Sequence, residues 1–410
     1  MTDGPRSGAS TAPDSAAQPS AAEAEVLSLI DRADIVRLTT ALVEARGHNP
    51  PGEEAATAAV LAEACRSRGL EVSVSDAAAH RPNLAATLAG GDGPGLLLLG
   101  HTDVVPPGDG WTEDPYRCRE DSGRLIGRGT ADMKGGLAAC VAAMDALRRA
   151  GAPLTGPVEL AALVDEEETG LGIRHYLSED RSRFAGCIVA EPTDLQTIIA
   201  ARGDAYIDVT VHGVAAHSGR PDDGRNAIYG ATRVVEELLG WHREMARHAH
   251  PLVGPATWSV GLFAGGQGTS TVPALASISA DRRLLPDEDA SEVLAGIRER
   301  ITQLALEDDG LSVEISMPMS MPGFETAADH PFVVTTDGAL QDAGGPGLAL
   351  GGWTAACDGG FIARECGVPT LVLGPGSVNE QAHRPDESVS VDDLVVAART
   401  YALAALRLLG

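Results

Sequence analysis

The sequence predicts an α/β protein in which a three-layer αβα domain is interrupted by a smaller α+β domain. Three observations support this fold class. Short apolar runs that suit buried parallel strands alternate with segments of helical periodicity, both early and late in the chain. Between them the order changes to strand, helix, two strands, helix and strand, the βαββαβ order of a ferredoxin-like unit. The length of 410 residues also suits two domains.

The α/β domain is predicted to comprise residues 25–204 and 320–410, and the inserted domain residues 205–319. In the α/β domain, helices are predicted at 33–46, 53–69, 137–150, 171–183, 331–343 and 391–408, and strands near 71–75, 83–89, 96–100, 158–164, 187–190 and 370–373. In the inserted domain, strands are predicted at 206–211, 257–263, 275–284 and 311–316, and helices at 227–239 and 290–306.

Composition excludes several classes of partner and location. Residues 1–24 are rich in Ala, Ser, Pro and Gly without an apolar segment, which predicts a disordered tail rather than a signal peptide. The net charge of −27 argues against nucleic acid or an anionic membrane as a partner. The six cysteines form no CxxC pair, which favours a reducing compartment and therefore a cytoplasmic location.

Three predicted strands lead directly into polar side chains that suit metal binding. The residues at these strand ends are His101 and Asp103, the acidic run 165–168, and Glu191. The carboxyl ends of parallel strands meet at one edge of a sheet, where sites in α/β proteins are built. Asp103 follows His101 by two residues, so it is placed to accept the second imidazole N–H.

Two further segments add ligands to this edge. Asp132 lies in the glycine-rich loop 126–136, and His383 lies near the C-terminus. Divalent ions about 3.5–4 Å apart are commonly bridged by a protein ligand, and a carboxylate on a tight loop suits that role. Glu166 and Glu167 are adjacent, so their side chains diverge; one is expected to bind a metal and the other to act as a base.

Each of these residues also has a simpler interpretation. A histidine at a strand end is often structural, a carboxylate in a glycine loop is often a turn residue, and an acidic run is often a solvated turn. Their coincidence at one sheet edge favours metal binding, because carboxylates crowded without a cation would repel one another. Lys134 is the only lysine in the chain, and the sequence suggests no role for it beyond a charge partner for these carboxylates.

Seven segments resemble one known family in order and spacing. The chain resembles the co-catalytic zinc metallopeptidases that include acetylornithine deacetylase, succinyl-diaminopimelate desuccinylase, aminoacylase and the glutamate carboxypeptidases. The resemblance covers about 35–405. Its segments are GHTDVVP (100–106), GRGTADMKGG (127–136), VDEEETG (164–170), AEPTDL (190–195), GVAAHSGRPDDGRNA (213–227), DRRLLP (281–286) and GPGSVNEQAHRPDE (374–387).

The resemblance implies two divalent metal ions. His101, Asp132 and Glu191 would bind one ion, and Asp132, Glu167 and His383 would bind the other. Zn²⁺ suits these ligands, and Co²⁺ and Mn²⁺ suit them nearly as well. The peptide bond after Asp132 is often cis in this family.

The resemblance also implies catalytic roles. Glu166 would be the general base and acid, acting on a metal-bridging water that attacks an amide carbonyl, and Asp103 would orient His101. The inserted domain would serve as a lid and dimerisation domain in a homodimer. His217, on that domain, would reach the oxyanion in the active site of the neighbouring subunit.

Two arginines are candidates for substrate binding. Arg283 matches the family arginine that often binds a substrate carboxylate, and its alternative is a surface arginine paired with Asp281 or Asp287. Ser270 stands where the family often has asparagine, which separates this chain from the usual pattern. Arg384, beside His383, is a second candidate, with a solvated loop arginine as its alternative.

The predicted function is hydrolysis of the amide bond of an N-acyl amino acid or small peptide. A dipeptidase or carboxypeptidase and an N-carbamoyl amidase are alternatives within the family. A catalytically silent binding or scaffold protein is an alternative from another class, and metal content together with chelator-sensitive hydrolysis separates the two classes.

Overall fold

The structure is a computed structural model that describes residues 19–410. Two large sheets organise these residues: a nine-stranded mixed sheet and a four-stranded antiparallel sheet. Among residues 19–410, no helix combines the length and the apolar character that a membrane span requires.

The first part of the α/β domain precedes the four-stranded sheet. It contains α1 (Ala21–Ser28), α2 (Arg32–Glu44), α3 (Ala55–Ser67), β1 (Glu71–Ala78), β2 (Arg81–Leu88), β3 (Gly95–His101), β4 (Arg119–Asp121), β5 (Arg124–Ile126), an irregular turn (Thr130–Lys134), α4 (Gly135–Ala150), β6 (Val158–Leu163), α5 (Leu171–Tyr176), β7 (Phe184–Val189) and β8 (Ile198–Ala201).

The inserted domain and the second part of the α/β domain follow. The inserted domain contains β9 (Gly203–His212), β10 (Ala216–His217), α6 (Ala227–Met245), β11 (Ala249–His250), β12 (Gly254–Pro255), β13 (Thr257–Gly265), β14 (Thr271–Val272), β15 (Leu275–Leu284), α7 (Ala290–Gln303) and β16 (Ser312–Met321). The chain then forms β17 (Phe324–Glu325), α8 (Pro331–Ala343), β18 (Gly351–Trp353), α9 (Gly359–Cys366), β19 (Thr370–Val372), β20 (Ser388–Ser390) and α10 (Val391–Leu409).

The large sheet has the order β1-β2-β6-β3-β7-β19-β8-β17, with β18 also pairing with β8. Strand β3 is buried on both faces, as its run of four leucines predicts. Leu96 and Leu98 pack in a core that includes residues of α2, α4, α8 and α10, whereas Leu97 and Leu99 pack in a core that includes residues of α5 and α9. The sheet therefore lies between two helical layers, and the predicted three-layer αβα architecture is confirmed.

The position of the site follows from strand direction. Strands β6 and β7 both run parallel to β3 on either side of it. Their carboxyl ends therefore lie at the same edge, which brings His101, the run 165–168 and Glu191 to one side of the sheet.

The four-stranded sheet of the inserted domain has the order β13-β15-β9-β16, and all neighbouring strands are antiparallel. With α6 and α7 it forms its own apolar core. The chain order β9, α6, β13, β15, α7 and β16 is the predicted ferredoxin-like βαββαβ order.

The N-terminal tail differs from the sequence prediction where it meets the fold. Residues 21–24, assigned to the tail, form the first turn of α1. Ser20 and Glu23 form a reciprocal capping box, and Glu23 also accepts a hydrogen bond from Arg407 at 2.7 Å. These contacts anchor the helix to the end of α10. Residues 1–18 of the predicted tail lie outside the described residues.

Three helices also differ from prediction. Helix α5 ends at Tyr176, well before residue 183, and α6 continues to Met245, beyond the predicted end at residue 239. Helix α9 was not predicted because it begins with two glycines, which are poor helix formers.

Candidate metal centre

Asp132 lies in the irregular turn between β5 and α4. Gly129 enters the turn with φ of 88°, a conformation that favours glycine. The Asp132–Met133 peptide bond is cis, as the family resemblance implied. At the start of α4, a Cβ atom on Gly136 would lie 2.2 Å from the carbonyl oxygen of Ala190, so this glycine lets the helix pass close to the strand end that carries Glu191.

The two carboxylate oxygens of Asp132 face two different histidines. Oδ1 lies 3.0 Å from Nε2 of His101, and Oδ2 lies 3.5 Å from Nε2 of His383. Asp132 is therefore placed between two groups of ligands, as a carboxylate shared by two ions would be.

Two glutamates complete the groups. Nε2 of His101 lies 3.2 Å from Glu191, and Nε2 of His383 lies 3.0 Å from Glu167. Ligands about 2.0–2.1 Å from one tetrahedral ion are roughly 3.3 Å apart, so these spacings fit such ions. Donor atoms of His101, Glu166 and Glu191, and of His101, Asp132 and Glu167, also lie within 4.8 Å of one another. The donor set therefore fits a pair of divalent cations.

The electrostatics of the cluster also favour a cation. Burial raises the pKa of Glu191 to about 7, and the nearby Asp132 carboxylate contributes to the rise. Burial raises the pKa of Glu167 as well, again with a contribution from Asp132. The hydrogen bond with Glu167 raises the pKa of His383 to about 9. Burial and the neighbouring carboxylate thus favour the protonated forms of Glu167 and Glu191, and a bound cation would offset both effects.

Glu166 differs from its neighbour Glu167. Its carboxylate makes no hydrogen bond with residues 19–410, although its backbone N–H donates to Oδ1 of Asp103 at 3.3 Å. Burial raises its pKa well above the usual value for glutamate, and the Glu191 carboxylate raises it further. A carboxylate with a raised pKa and no bonded partner is suited to accepting a proton.

Asp103 contacts His101 mainly through its backbone carbonyl. The nearest acceptor for Nδ1 of His101 is the backbone carbonyl of Asp103 at 2.9 Å, whereas the Asp103 carboxylate lies 3.6 Å away. That carboxylate accepts hydrogen bonds from the backbone N–H groups of Glu166 and Glu167 and from the side-chain amide of Asn49 at 3.0 Å. Asp103 thus positions the two glutamates. Asn49 was missed, because nothing in its local sequence links it to residue 103.

Lys134 makes no ion pair with the carboxylates of residues 19–410. It is fully buried, and its Nζ donates to the carbonyls of Leu42 and Arg46 and lies 3.5 Å from the Thr57 hydroxyl. These carbonyls belong to the last turn of α2 and the residues after it, where carbonyl groups lack helical partners. Burial lowers the pKa of Lys134 to about 7. Its observed contacts are those of a cap on α2.

The predicted residues outside the cluster have different surroundings. His217 is exposed, its Nδ1 accepts a hydrogen bond from Gly219 N–H at 3.0 Å, and it makes no hydrogen bond with the metal-ligand candidates of residues 19–410. Arg283 is bonded through two nitrogens to the carboxylate of Asp281, at 3.1 and 2.9 Å, and also lies 3.2 Å from Asp204. Arg384 is exposed beside His383.

The chain is similar to known proteins over most of its length. The family model described as Peptidase family M20/M25/M40 matches residues 97–407. Acetylornithine deacetylase of Proteus mirabilis is 36% identical over 315 residues, which cover 75% of this chain and 78% of the relative. Acetylornithine deacetylase of Aliivibrio fischeri (strain ATCC 700601 / ES114) is 31% identical over 331 residues, covering 80% and 84%.

Solved structures share the fold at lower identity. The aminopeptidase PepT of Bacillus cereus superposes with a TM-score of 0.74 at 24% identity and covers 93% of this chain and 99% of its own. The metallo-carboxypeptidase Sso-CP2 of Sulfolobus solfataricus has a TM-score of 0.75 at 19% identity, covering 91% and 98%.

Cation binding is expected to stabilise the fold, because it relieves repulsion among Asp132, Glu167 and Glu191. At a free ion concentration about 100 times the dissociation constant, each site adds about 2.7 kcal/mol to the free energy of unfolding. Thermal unfolding of chelator-treated protein, with and without added Zn²⁺, Co²⁺ or Mn²⁺, measures this gain. Asp132→Asn should lose most of it, and equal melting temperatures for the metal-free and metal-loaded wild-type protein would contradict the assignment.

Replacing Lys134 is expected to lower the free energy of unfolding whether or not a metal is bound. Lys134→Met leaves the carbonyl of Leu42 without its donor and removes one of the two side-chain donors to the carbonyl of Arg46, at a cost of about 1–3 kcal/mol. Urea unfolding of the metal-free protein measures the loss. Arg149→Met, which removes a half-exposed cation from α4, is the control and should change the free energy of unfolding by less than about 0.5 kcal/mol. Equal effects of the two substitutions would disprove the capping role.

Proposed function

Because the chain belongs to peptidase family M20/M25/M40 and is a metal-dependent amidohydrolase that acts on acyl amino acids or peptides, we propose that it removes an acyl group from an amino acid. Family membership confirms the resemblance inferred from the seven sequence segments. The observation that carries the proposal is the unbonded Glu166 carboxylate beside two ligand groups that share Asp132. Relatives at 31–36% identity that are named acetylornithine deacetylase favour a deacylase.

The proposed ligands are those whose donor atoms meet at Asp132. His101, Asp132 and Glu191 hold one ion, and Asp132, Glu167 and His383 hold the other. When bound, the ions would polarise the amide carbonyl and lower the pKa of a water molecule. Zn²⁺ is proposed as the native ion, with Co²⁺ and Mn²⁺ as substitutes that the same donors accept.

Glu166 is proposed to move the proton. Its neighbour Glu167 is bonded to His383, whereas Glu166 has no bonded partner in residues 19–410. Glu166 would accept a proton from the attacking water and donate it to the leaving amine. The Asp103 carboxylate, which holds both backbone N–H groups of this pair, would keep Glu166 aimed at the substrate.

Arg384 and Arg283 are proposed to recognise an acidic group of the substrate. The guanidinium of Arg384 makes no ion pair with residues 19–410 and lies beside the ligand His383. Arg283 is already bonded to Asp281, so a substrate carboxylate would have to replace that partner. Arg384 is therefore the more available of the two.

We propose a homodimer formed through the inserted domain. Strand β13 is an edge strand, and its Leu262 and Phe263 side chains are 69% and 45% exposed. Exposed apolar residues on a strand whose outer edge has no partner within residues 19–410 suit pairing with a second copy. The Nε2 atom of His217 carries the ring proton, since Nδ1 accepts a hydrogen bond, and would donate to the oxyanion in the partner's site. A cytoplasmic location is also proposed, consistent with six unpaired cysteines.

Hydrolysis of a substrate panel tests the proposed activity. Metal-free protein is loaded with Zn²⁺, Co²⁺ or Mn²⁺ and assayed with N-acetyl, N-succinyl and N-carbamoyl amino acids and dipeptides. We expect N-acyl amino acids to be cleaved fastest, with activity lost in chelator. Glu166→Ala should reduce kcat by about 10²–10⁴ while metal content is retained.

The control for Glu166→Ala is Glu168→Ala, which removes an exposed acid from the same turn and should leave kcat near wild type. If dipeptides are cleaved faster than all N-acyl amino acids, the protein is a peptidase and the proposed deacylase activity is wrong. Near-normal turnover by the Glu166 variant would refute its role as the base.

A complementation experiment tests whether His217 acts across the dimer. Glu166→Ala and His217→Ala variants are each expected to be nearly inactive. In a heterodimer of the two, one site contains Glu166 from one subunit and His217 from the other, so activity should return after coexpression. Light scattering establishes the dimer. Absence of recovery in purified heterodimers would show that His217 does not complete a neighbouring site.

A further inference from the structure

Glu387 makes a group of contacts with the Asp132 turn that the proposed chemistry does not use. Its side chain is almost fully buried. Oε1 accepts hydrogen bonds from the backbone N–H groups of Ala131 at 2.9 Å and Asp132 at 3.0 Å. Oε2 accepts from the backbone N–H of Gly129 at 3.0 Å and from Nη1 of Arg128 at 2.7 Å. One carboxylate therefore accepts hydrogen bonds from four donors within residues 128–132.

The four donors around Glu387 are matched by an anion that has two acceptor oxygens. Three backbone N–H groups converge on the carboxylate, and a concave arrangement of this kind binds anions. Arg128, which is also buried, supplies the compensating positive charge and donates to the carbonyl of Pro107 at 3.1 Å. A buried carboxylate is tolerated when it is paired and hydrogen-bonded in this way.

The same contact joins the two segments that carry ligands. Glu387 lies four residues after His383, and its backbone carbonyl also accepts from Gly127 N–H at 2.9 Å. Directly after Glu387, β20 pairs with β5, the strand that enters the Asp132 turn. The loop that presents His383 and the turn that presents Asp132 are thus held together at Glu387.

We propose that Glu387, held by Arg128, is a positioning residue that sets the separation of Asp132 and His383 and thereby the affinity of the cation site they form with Glu167. This inference rests on the proposed metal ligands. Within residues 19–410, Glu387 makes no hydrogen bond with His101 or Glu191. Asp132 serves both proposed ions, but His383 serves only one, so the loss of Glu387 weakens the site at His383 more than the site at His101.

Cobalt titration of metal-free protein tests the proposal. The wild-type chain should bind two Co²⁺ ions. Calorimetry and visible absorption measure this binding. Glu387→Gln replaces one acceptor oxygen with an amide group that faces the N–H of Gly129 and the Arg128 guanidinium. The second Co²⁺ should then bind about 10–100 times more weakly, with a changed absorption spectrum. Turnover should fall together with the occupancy of the second site.

Glu159→Gln is the matched control. Glu159 is a buried glutamate of β6 that accepts from the Tyr176 hydroxyl and from Arg183, both at 2.6 Å, away from the cluster. It should lower stability to a similar extent while both Co²⁺ affinities stay near wild type. Should Glu387→Gln fail to fold, Arg128→Lys keeps the charge but loses the forked geometry, and the same selective loss of the second ion is expected.

The possible outcomes separate the two proposals. Unchanged Co²⁺ binding in Glu387→Gln, or an equal loss in Glu159→Gln, would overturn the positioning role. A wild-type chain that binds fewer than two Co²⁺ ions would instead refute the proposed metal ligands.

Discussion

The position of one short side chain constrains the rest of the site, because the two oxygens of Asp132 face different histidines at 3.0 and 3.5 Å. An aspartate has few rotatable bonds, so its backbone must be placed accurately for both oxygens to be used. Glu387 binds that backbone through the N–H of Asp132 and those of its neighbours. Gly136 allows α4 to approach the carbonyl of Ala190, which keeps Glu191 close to the turn. The contacts of Glu387 and Gly136 thus help to fix the position of the Asp132 carboxylate.

A second carboxylate separates the roles of two adjacent glutamates. Asp103 accepts the backbone N–H groups of both Glu166 and Glu167, and Asn49 joins this carboxylate to Asp165. With the backbone fixed, the side chains point to different surroundings. Glu167 bonds to His383, whereas Glu166 is left with a raised pKa and no partner in residues 19–410. One fixed turn therefore presents both the proposed ligand Glu167 and the proposed base Glu166.

Sequence patterns predicted the elements and residues that depend on local periodicity. The apolar strands and the polar residues after them predicted a common sheet edge with His101 and Glu191, because parallel strands must end together. The contacts of Asn49, Lys134 and Glu387 were not predictable, since each bonds to a segment distant in the chain through side-chain geometry. Lys134 illustrates the difference: its position near Asp132 suggested a charge partner for carboxylates, yet its ammonium group caps α2.

The ion pairs of the inserted domain affect how strongly Arg283 could bind an acidic group of the substrate. Arg283 lies between Asp281 and Asp204, and burial raises the pKa of Asp204 to about 7. A substrate carboxylate bound at Arg283 would gain only the difference between its own contact and the pair with Asp281 that it displaces. Arg384 has no such pair within residues 19–410, so a carboxylate there would form a new contact. Selectivity for an acidic group is therefore expected to depend more on the loop of His383 than on β15.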